Sequence, residues 1–441
     1  MNVVFAGLFL ASCAGYWFTV FWDLWPHPFF GLLALLSIQF LLYAIMIARI
    51  HTGTGMRFTT IFGIAVVARV ILWFSSPILE NDYWRYLWDG RVLAHGINPY
   101  LYVPLNSALN VLDAPYRGMI GWSQFNTIYP PLAQILFAAQ HIIAPDSLLA
   151  LKVLFTAFDL GTGWILYLWI LKLGRNPAWT LLYLLNPLVL KEIANSAHLD
   201  SVPVFFTTLS LFLFTNTKKR STAWVSLALG ICSKLYPLVL VPLFIRVDPR
   251  WKKHLTILIL IVTGLYLPFI GAGTKLFGGT GAYATYWIFN ASIFQLVTLV
   301  LKSVLGSLSA FSENTVLKEA LINDFPAKIL LGFVFLILLF WRVKKVASQN
   351  EIPAAALWIL GLVLVVSPVV DAWYVLWLLP LACLLGNAPW ICFSYLVVAS
   401  YSWLYSKELA PFFRFTEYSI FFILGYLHFK NKWLDQQAIK T

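Results

Sequence analysis

The stretch from Glu80 to Tyr100, ENDYWRYLWDGRVLAHGINPY, gathers Glu80, Asp82, Asp89, Arg85 and Arg91 beside Tyr83, Trp84, Tyr86, Trp88 and Tyr100, in a chain where only 11% of residues are charged. Carboxylates beside an aromatic platform suit a sugar hydroxyl that must lose a proton. Arginines suit a phosphate, because a guanidinium forks onto two of its oxygens in parallel hydrogen bonds. Together they point to a sugar phosphate. The competing reading is an interfacial helix whose Trp and Tyr anchor the headgroup zone. Ionisable clusters at membrane depth are functional by default, which favours the chemical reading.

Four further polar groups stand at the ends of apolar runs: Tyr129-Pro130-Pro131, His198-Leu-Asp200, Lys234-Leu-Tyr236-Pro237 and Asp371-Ala-Trp373-Tyr374. None has the spacing of a zincin, a nucleotide-binding loop, a triad hydrolase or a calcium loop. His198 and Asp200 could hold a metal or a diphosphate, but a capped helix end explains them as well. Asp371 and Tyr374 fit a cap and an aromatic-belt residue equally. Lys234 is the stronger single signal, since a charge at mid-membrane costs roughly 2.5–3.5 kcal/mol and needs compensation. A buried lysine wants an anion, and no acid lies beside it in sequence.

The elements that must position these groups are membrane spans. The 441 residues are 61% hydrophobic, mean hydropathy is +0.80, and long apolar runs recur, which places the chain among polytopic all-α membrane proteins. A formal charge of +12 could suggest nucleic acid, yet no basic block appears and Lys and Arg fall between apolar runs, so no nucleic-acid partner is expected. Cys13, Cys232, Cys383 and Cys392 lie inside apolar segments and read as small buried hydrophobes. The first apolar segment, 3–22, lacks a basic leader and a small-residue cleavage site and is expected to be a retained span.

Orientation follows Lys and Arg. Spans at 3–22 and 30–49 meet at the hairpin Asp23 to Pro28 and lead to a basic, cytoplasmic loop at Arg49 and Arg57. Span 58–77 then delivers Glu80 to Tyr100 to the opposite face. Residues 131–144 are too short for a span and read as a helix on the outer leaflet, so a first outer loop covers 78–147. Spans 148–171, 177–193 and 201–215 follow. Segment 222–246 leaves and returns around a break at Ser233-Lys234, as two short spans or a re-entrant pair, a break tolerated only where the backbone is buried in protein or lines a wet cavity. Span 255–270 leads to a second outer region, 271–326, Gly-rich and mobile at first, then an interfacial helix at YWIFNASIFQLV. The remaining spans are 327–343, 353–369, 373–387, 390–405 and 412–429. The count is about 12–14 in a single domain spanning 1–441, without a soluble domain or clear repeat.

These residues resemble the GT-C superfamily of polytopic glycosyltransferases, especially bacterial alpha-mannosyltransferases that use polyprenyl-phosphate mannose, and more loosely the GPI mannosyltransferase that adds the first mannose. The shared pattern is Glu80 and Asp82, Tyr83, Asp89, Gly96, Pro99-Tyr100 and Tyr129-Pro130-Pro131. Later matches are Asn186-Pro187, His198 with Asp200, Lys234-Leu-Tyr236-Pro237, Tyr286-Trp287 with Phe289-Asn290, and Ser367-Pro368 with Trp373-Tyr374 and Trp377. The GPI-type relatives carry Asp-x-Asp where this chain has Glu80-Asn81-Asp82, so Asp82 is the firmer counterpart.

The resemblance implies transfer of one sugar from a polyprenyl-phosphate donor to a hydroxyl of a glycan or glycolipid acceptor, with inversion, at the non-cytoplasmic face of a bacterial cell membrane. It implies Asp82 as catalytic base with Glu80 or Asp89 as a possible second acid. Lys234, Arg85 and Arg91 would meet the donor phosphate, and Tyr129, His198, Asp200, Tyr236, Asp371 and Tyr374 the substrates. No metal or other cofactor is expected for a monophosphate leaving group. A flippase of lipid-linked saccharide is the rival from another class, but it would carry mid-membrane charges in both halves, whereas this chain concentrates its acids in one outer loop. A ligase or polymerase using a diphosphate donor would need a larger, arginine-rich outer loop.

Overall fold

The computed structural model describes residues 2–18, 27–53, 56–309 and 323–438, and among them every regular element is helical apart from one isolated parallel bridge between Phe289 and Val369. Five helices are each long and apolar enough to cross a bilayer: Pro28–His51, Leu148–Lys172, Trp251–Tyr286, Phe325–Lys344 and Gln349–Val366. Leu41, Ile337 and Phe415 are 63%, 67% and 74% exposed, the apolar outer surface of a protein solvated by lipid. The chain is an all-α polytopic membrane protein. The hairpin turn at 23–26 and residues 310–322 of the second outer region lie outside the described residues.

Several stretches expected as single spans are assembled from short pieces. Segment 177–193 holds Pro177–Thr180, Leu181–Leu184 and Pro187–Val189, then a π-helical turn at Leu190–Asn195. Pro177 and Pro187 lack the N–H that would continue the preceding helix. Asn176 and Asn186 cap the new starts, each side chain accepting from a backbone N–H at 3.0 Å. The regions 373–387 and 390–405 are interrupted in the same way, as Ala372–Trp377 and Leu379–Leu385, then Ala388–Leu396, Val397–Tyr401 and Ser402–Tyr405. Such breaks survive at membrane depth only inside protein, and residues 180–204 are buried throughout. The break after Ser233 falls where the polar residues place it.

The second outer region differs from its sequence reading. Its glycine-rich start is helical, as Leu267–Phe277 and Gly278–Tyr286, and Gly279 lies so close under the Asn126 and Thr127 carbonyls that a Cβ would collide with them. Residues 287–289 are extended rather than helical, because Phe289 pairs with the 368–370 backbone: its N–H donates to Pro368 O and its carbonyl accepts from Val370 N, both at 2.9 Å. Helix resumes at Ile293–Ser309.

Two buried cations hold the route into the first outer loop. Arg69, in helix Phe58–Trp73, meets Asp159 of Leu148–Lys172 at 2.5 Å with both side chains fully buried. Lys152 Nζ donates to the carbonyls of Leu72 at 3.2 Å and Ser75 at 2.6 Å, closing the end of Phe58–Trp73. Asn195 then ties down the connection, accepting from Ile78 N at 3.2 Å and donating to Ser76 O at 2.7 Å. Of the cysteines, Cys13, Cys232 and Cys383 are buried as expected, but Cys392 is exposed on the outer side of its helix.

Candidate active site

Helix Asp82–Ala94 and helix Pro131–Ile143 form one block within the first outer loop. They approach so closely that a Cβ on Gly90 would strike the Phe137 carbonyl, which explains a glycine inside a helix. Asp89 and Arg91 fasten this block. Asp89 accepts from Arg85 Nε at 2.8 Å and Gln134 Nε2 at 3.1 Å, and Arg85 also donates to Phe125 O at 3.2 Å. Arg91 donates to Asp146 at 2.5 Å and to Asp113 O at 3.3 Å. The arginines expected at a donor phosphate thus each bond partners within the loop, while Arg85 Nη2 and Arg91 Nε bond no described residue.

The other groups converge. Glu80 precedes the first helix and Asp82 opens it, so the two carboxylates diverge. Glu80 enters a buried network with Lys191, Glu192, His198 and Tyr401. The Tyr401 hydroxyl lies 2.5 Å from Glu80 Oε1 and 2.9 Å from Glu192 Oε1, and accepts from Lys191 Nζ. Lys191 is 3.2 Å from Glu192 and 3.8 Å from Glu80. His198 Nε2 sits 3.5 Å from Glu80 and 3.4 Å from Glu192, and its ring stacks on Trp373 at 4.1 Å. Burial opposes ionisation of Glu80, but Lys191, His198 and Tyr401 outweigh it and hold its carboxyl below the usual range.

Asp82 stands apart from that network. Among the described residues its one side-chain hydrogen bond is a long one, accepted from Tyr129 at 3.5 Å. Burial pushes its carboxyl above the usual range, with Glu80 and Asp200 adding to the shift and His198 and Lys234 opposing it. Asp371 is pushed well above, by burial first and then by Glu80 and Asp82.

Lys234 finds its anion in Asp200, both of whose oxygens lie 2.8 Å from Nζ. Asp200 also accepts from Trp377 Nε1 at 2.5 Å. The ammonium lies 4.8 Å from the Tyr374 ring and 5.3 Å from Trp377, and Tyr236 stacks on Trp377 at 4.3 Å. Tyr283 meets Tyr374 hydroxyl to hydroxyl at 2.5 Å. The lysine, its acid and three aromatic rings therefore form one wall of the centre that Asp82 and Asp371 share.

Two residues just before the centre carry strain. Leu79 and Ala197 have φ of 58°, a left-handed backbone that a side chain rarely adopts, immediately before Glu80 and His198. The π-helical turn Leu190–Asn195 supplies Lys191 and Glu192, and such turns recur at functional sites. Sequence reading missed Lys191, Glu192 and Tyr401. The signal was present as an adjacent cation and anion inside an apolar run, but the run was taken as an ordinary span.

Glu80, Glu192 and His198 place three donor atoms within 4.8 Å of one another, near enough to share a metal ion. Lys191 already lies among the same carboxylates, so the cluster carries an internal cation of its own.

No curated protein and no solved structure matches the chain. One family model does, that of the MptA/B family, described as alpha-(1->6)-mannopyranosyltransferase, N-terminal domain, over residues 18–248. That match covers more than half of the chain and takes in Glu80, Asp82, Lys191, Glu192, His198, Asp200 and Lys234. It favours a glycosyltransferase over a flippase, and the chain belongs to this family of membrane mannosyltransferases.

Proposed function

We propose that the protein transfers a single mannose from a polyprenyl-phosphate donor to a hydroxyl of a lipid-linked or glycan acceptor, on the non-cytoplasmic face of a bacterial cell membrane and with inversion at the anomeric carbon. The observation that carries this reading is the unequal bonding of the carboxylates. Glu80, Glu192 and Asp200 are each held by a cation and a hydroxyl or indole, whereas Asp82 keeps one long hydrogen bond in a site that raises its proton affinity. A carboxylate so placed is the better base. Asp82 takes the acceptor proton as that oxygen bonds to the sugar's anomeric carbon, and the carbon–oxygen bond to phosphate breaks on the opposite side. Lys234 faces the charge that develops on the departing phosphate. Burial raises the proton affinity of Asp371, which suits a hydrogen bond to a substrate hydroxyl beside the wall that holds Tyr236 and Tyr374, with Tyr129 at Asp82. Purified protein in detergent, given polyprenyl-phosphate mannose and a glycolipid acceptor, should form a mannosylated product of inverted configuration; retention of configuration contradicts the single-base scheme.

Lys234→Met should raise the donor KM by about tenfold or more, the range for losing a charge-assisted hydrogen bond. Because Asp200 is then left unpaired, some stability falls as well. The double variant Lys234→Met/Asp200→Asn should regain that stability without regaining donor affinity. Recovery of both reassigns Lys234 to a structural role.

The face of the membrane rests on positive charge, since Lys218, Lys219 and Arg220 lie between the end of helix Ser201–Asn216 and the first turn of Arg220–Ser233 while the acids occupy 78–147. In a cysteine-free background, an impermeant thiol reagent added outside should label a cysteine at the exposed position of Asp113 and spare one at Lys218. The reverse pattern turns the site to the cytoplasm.

A further inference from the structure

Away from the acidic centre, a cavity of about 90 Å³ opens between the non-helical stretch 288–290, the short helical pieces around 400–403, and the start of helix Ala410–Ala438. Asn290, Ser400, Ser402, Trp403 and Arg414 line it. Ser400 and Ser402 flank Tyr401, whose hydroxyl reaches Glu80, so the cavity backs onto the site without sharing its groups.

Three observations mark it as a binding site rather than a packing defect. Arg414 is half-buried and acts electrostatically on Glu417 and Tyr418, yet its guanidinium forms neither a hydrogen bond nor a salt bridge with any described residue. Its charged neighbour on the same helix, Glu417, spends one oxygen on Asn290 Nδ2 at 2.7 Å and does not line the cavity. Ser402 Oγ is 1% exposed and also lacks a partner, although a buried hydroxyl left unbonded is costly. Asn290, with φ of 47°, is held in a left-handed conformation by Glu417 and by the Tyr418 hydroxyl, which donates to its carbonyl at 2.8 Å.

An idle guanidinium beside an idle hydroxyl calls for an oxyanion, since five fixed N–H donors match phosphate oxygens in pairs. The surroundings say where it comes from. Trp403, which lines the cavity, is exposed, and so are Leu404, Leu409, Phe412 and Phe415 in the adjoining chain segments, an apolar surface that water would not favour and acyl chains would, while Lys407 sits 5.1 Å over the Trp403 ring as a second cation. We infer that this cavity binds the phosphate head group of an anionic lipid, through Arg414 and Ser402, at a place separate from the Lys234 wall.

The probe is phosphatidic acid in phosphatidylcholine nanodiscs, with the bound lipid counted by native mass spectrometry of the intact protein. Wild type should retain a phosphatidic acid that Arg414→Gln releases, with Kd raised about tenfold or more; Ser402→Ala should raise it severalfold, the scale of one neutral hydrogen bond. Arg414→Lys keeps the charge but loses the fork, should fall between, and carries the test should Arg414→Gln unfold. Equal retention by wild type and both arginine variants overturns the site. Displacement of the lipid by inorganic phosphate at equal concentration overturns the lipid assignment, leaving a site for a free oxyanion.

Discussion

Asp82→Asn should lower turnover by roughly 10²–10⁴-fold, the usual contribution of a general base, while leaving donor KM nearly unchanged. The substitution keeps shape and the contact with Tyr129 but removes the only lone pair able to take the acceptor proton. Its pH profile distinguishes it from a structural lesion. Burial raises the Asp82 pKa, so wild-type activity should climb as pH rises through that raised value and then level off, and the climb should be missing from the residual activity of Asp82→Asn. The stability effect has the opposite sign. An acid whose folded pKa lies above its unfolded value favours the fold at pH below the ordinary carboxylate range, and this advantage is lost as pH rises through the folded value. Asp82→Asn, permanently neutral, should therefore be the more heat-stable protein at neutral pH, a gain in stability that accompanies lost function. Glu80→Gln should slow turnover less and reduce stability, because Glu80 is bonded rather than poised. Near-normal transfer by Asp82→Asn together with loss in Asp371→Asn moves the base to Asp371.

The sequence carried the chemistry further than the architecture. Glu80, Asp82, His198, Asp200, Lys234 and Asp371 all stand out as charges beside apolar runs, and the fold brings them to one centre because membrane insertion leaves few other places for them. Asp89, Arg85 and Arg91 stand out equally, and they bond partners within the first outer loop; type and spacing cannot separate a ligand contact from a clamp when both use an arginine and a carboxylate. Span boundaries were least legible where Pro177, Pro187 and Pro380 start new short helices inside runs of unbroken hydropathy. Hydropathy reports that such a run is buried in membrane or protein but not that its backbone is continuous. That is how Lys191 and Glu192, on the π-helical turn, escaped notice.

Those two residues support the second large effect. Lys191→Met should destabilise the protein at neutral pH by about 3–5 kcal/mol, the range for breaking a buried charge network by removing one partner, and should carry transfer activity down with it. Glu80, with a side chain only 7% exposed, and Glu192, fully buried, would face each other with His198 and Tyr401 as their remaining partners. In wild type the Glu80 pKa lies below its usual value, so its contribution is present above the ordinary carboxylate range and lost as pH falls through the depressed value. Without Lys191 that shift should reverse. Burial then dominates, the carboxyl pKa rises, and acidification supplies the missing positive charge as a proton. The variant should therefore gain stability as pH falls from neutral toward the range where one carboxylate protonates, while wild type should lose it over the lower part of the same titration. Lys191→Met/Glu192→Gln, which removes one charge of each sign, should recover most of the thermal midpoint. Activity should return only so far as Glu80 again fixes the start of the helix that carries Asp82. A Lys191→Met protein whose stability falls with acid just as wild type does would show that Lys191 is not the cation on which Glu80 depends.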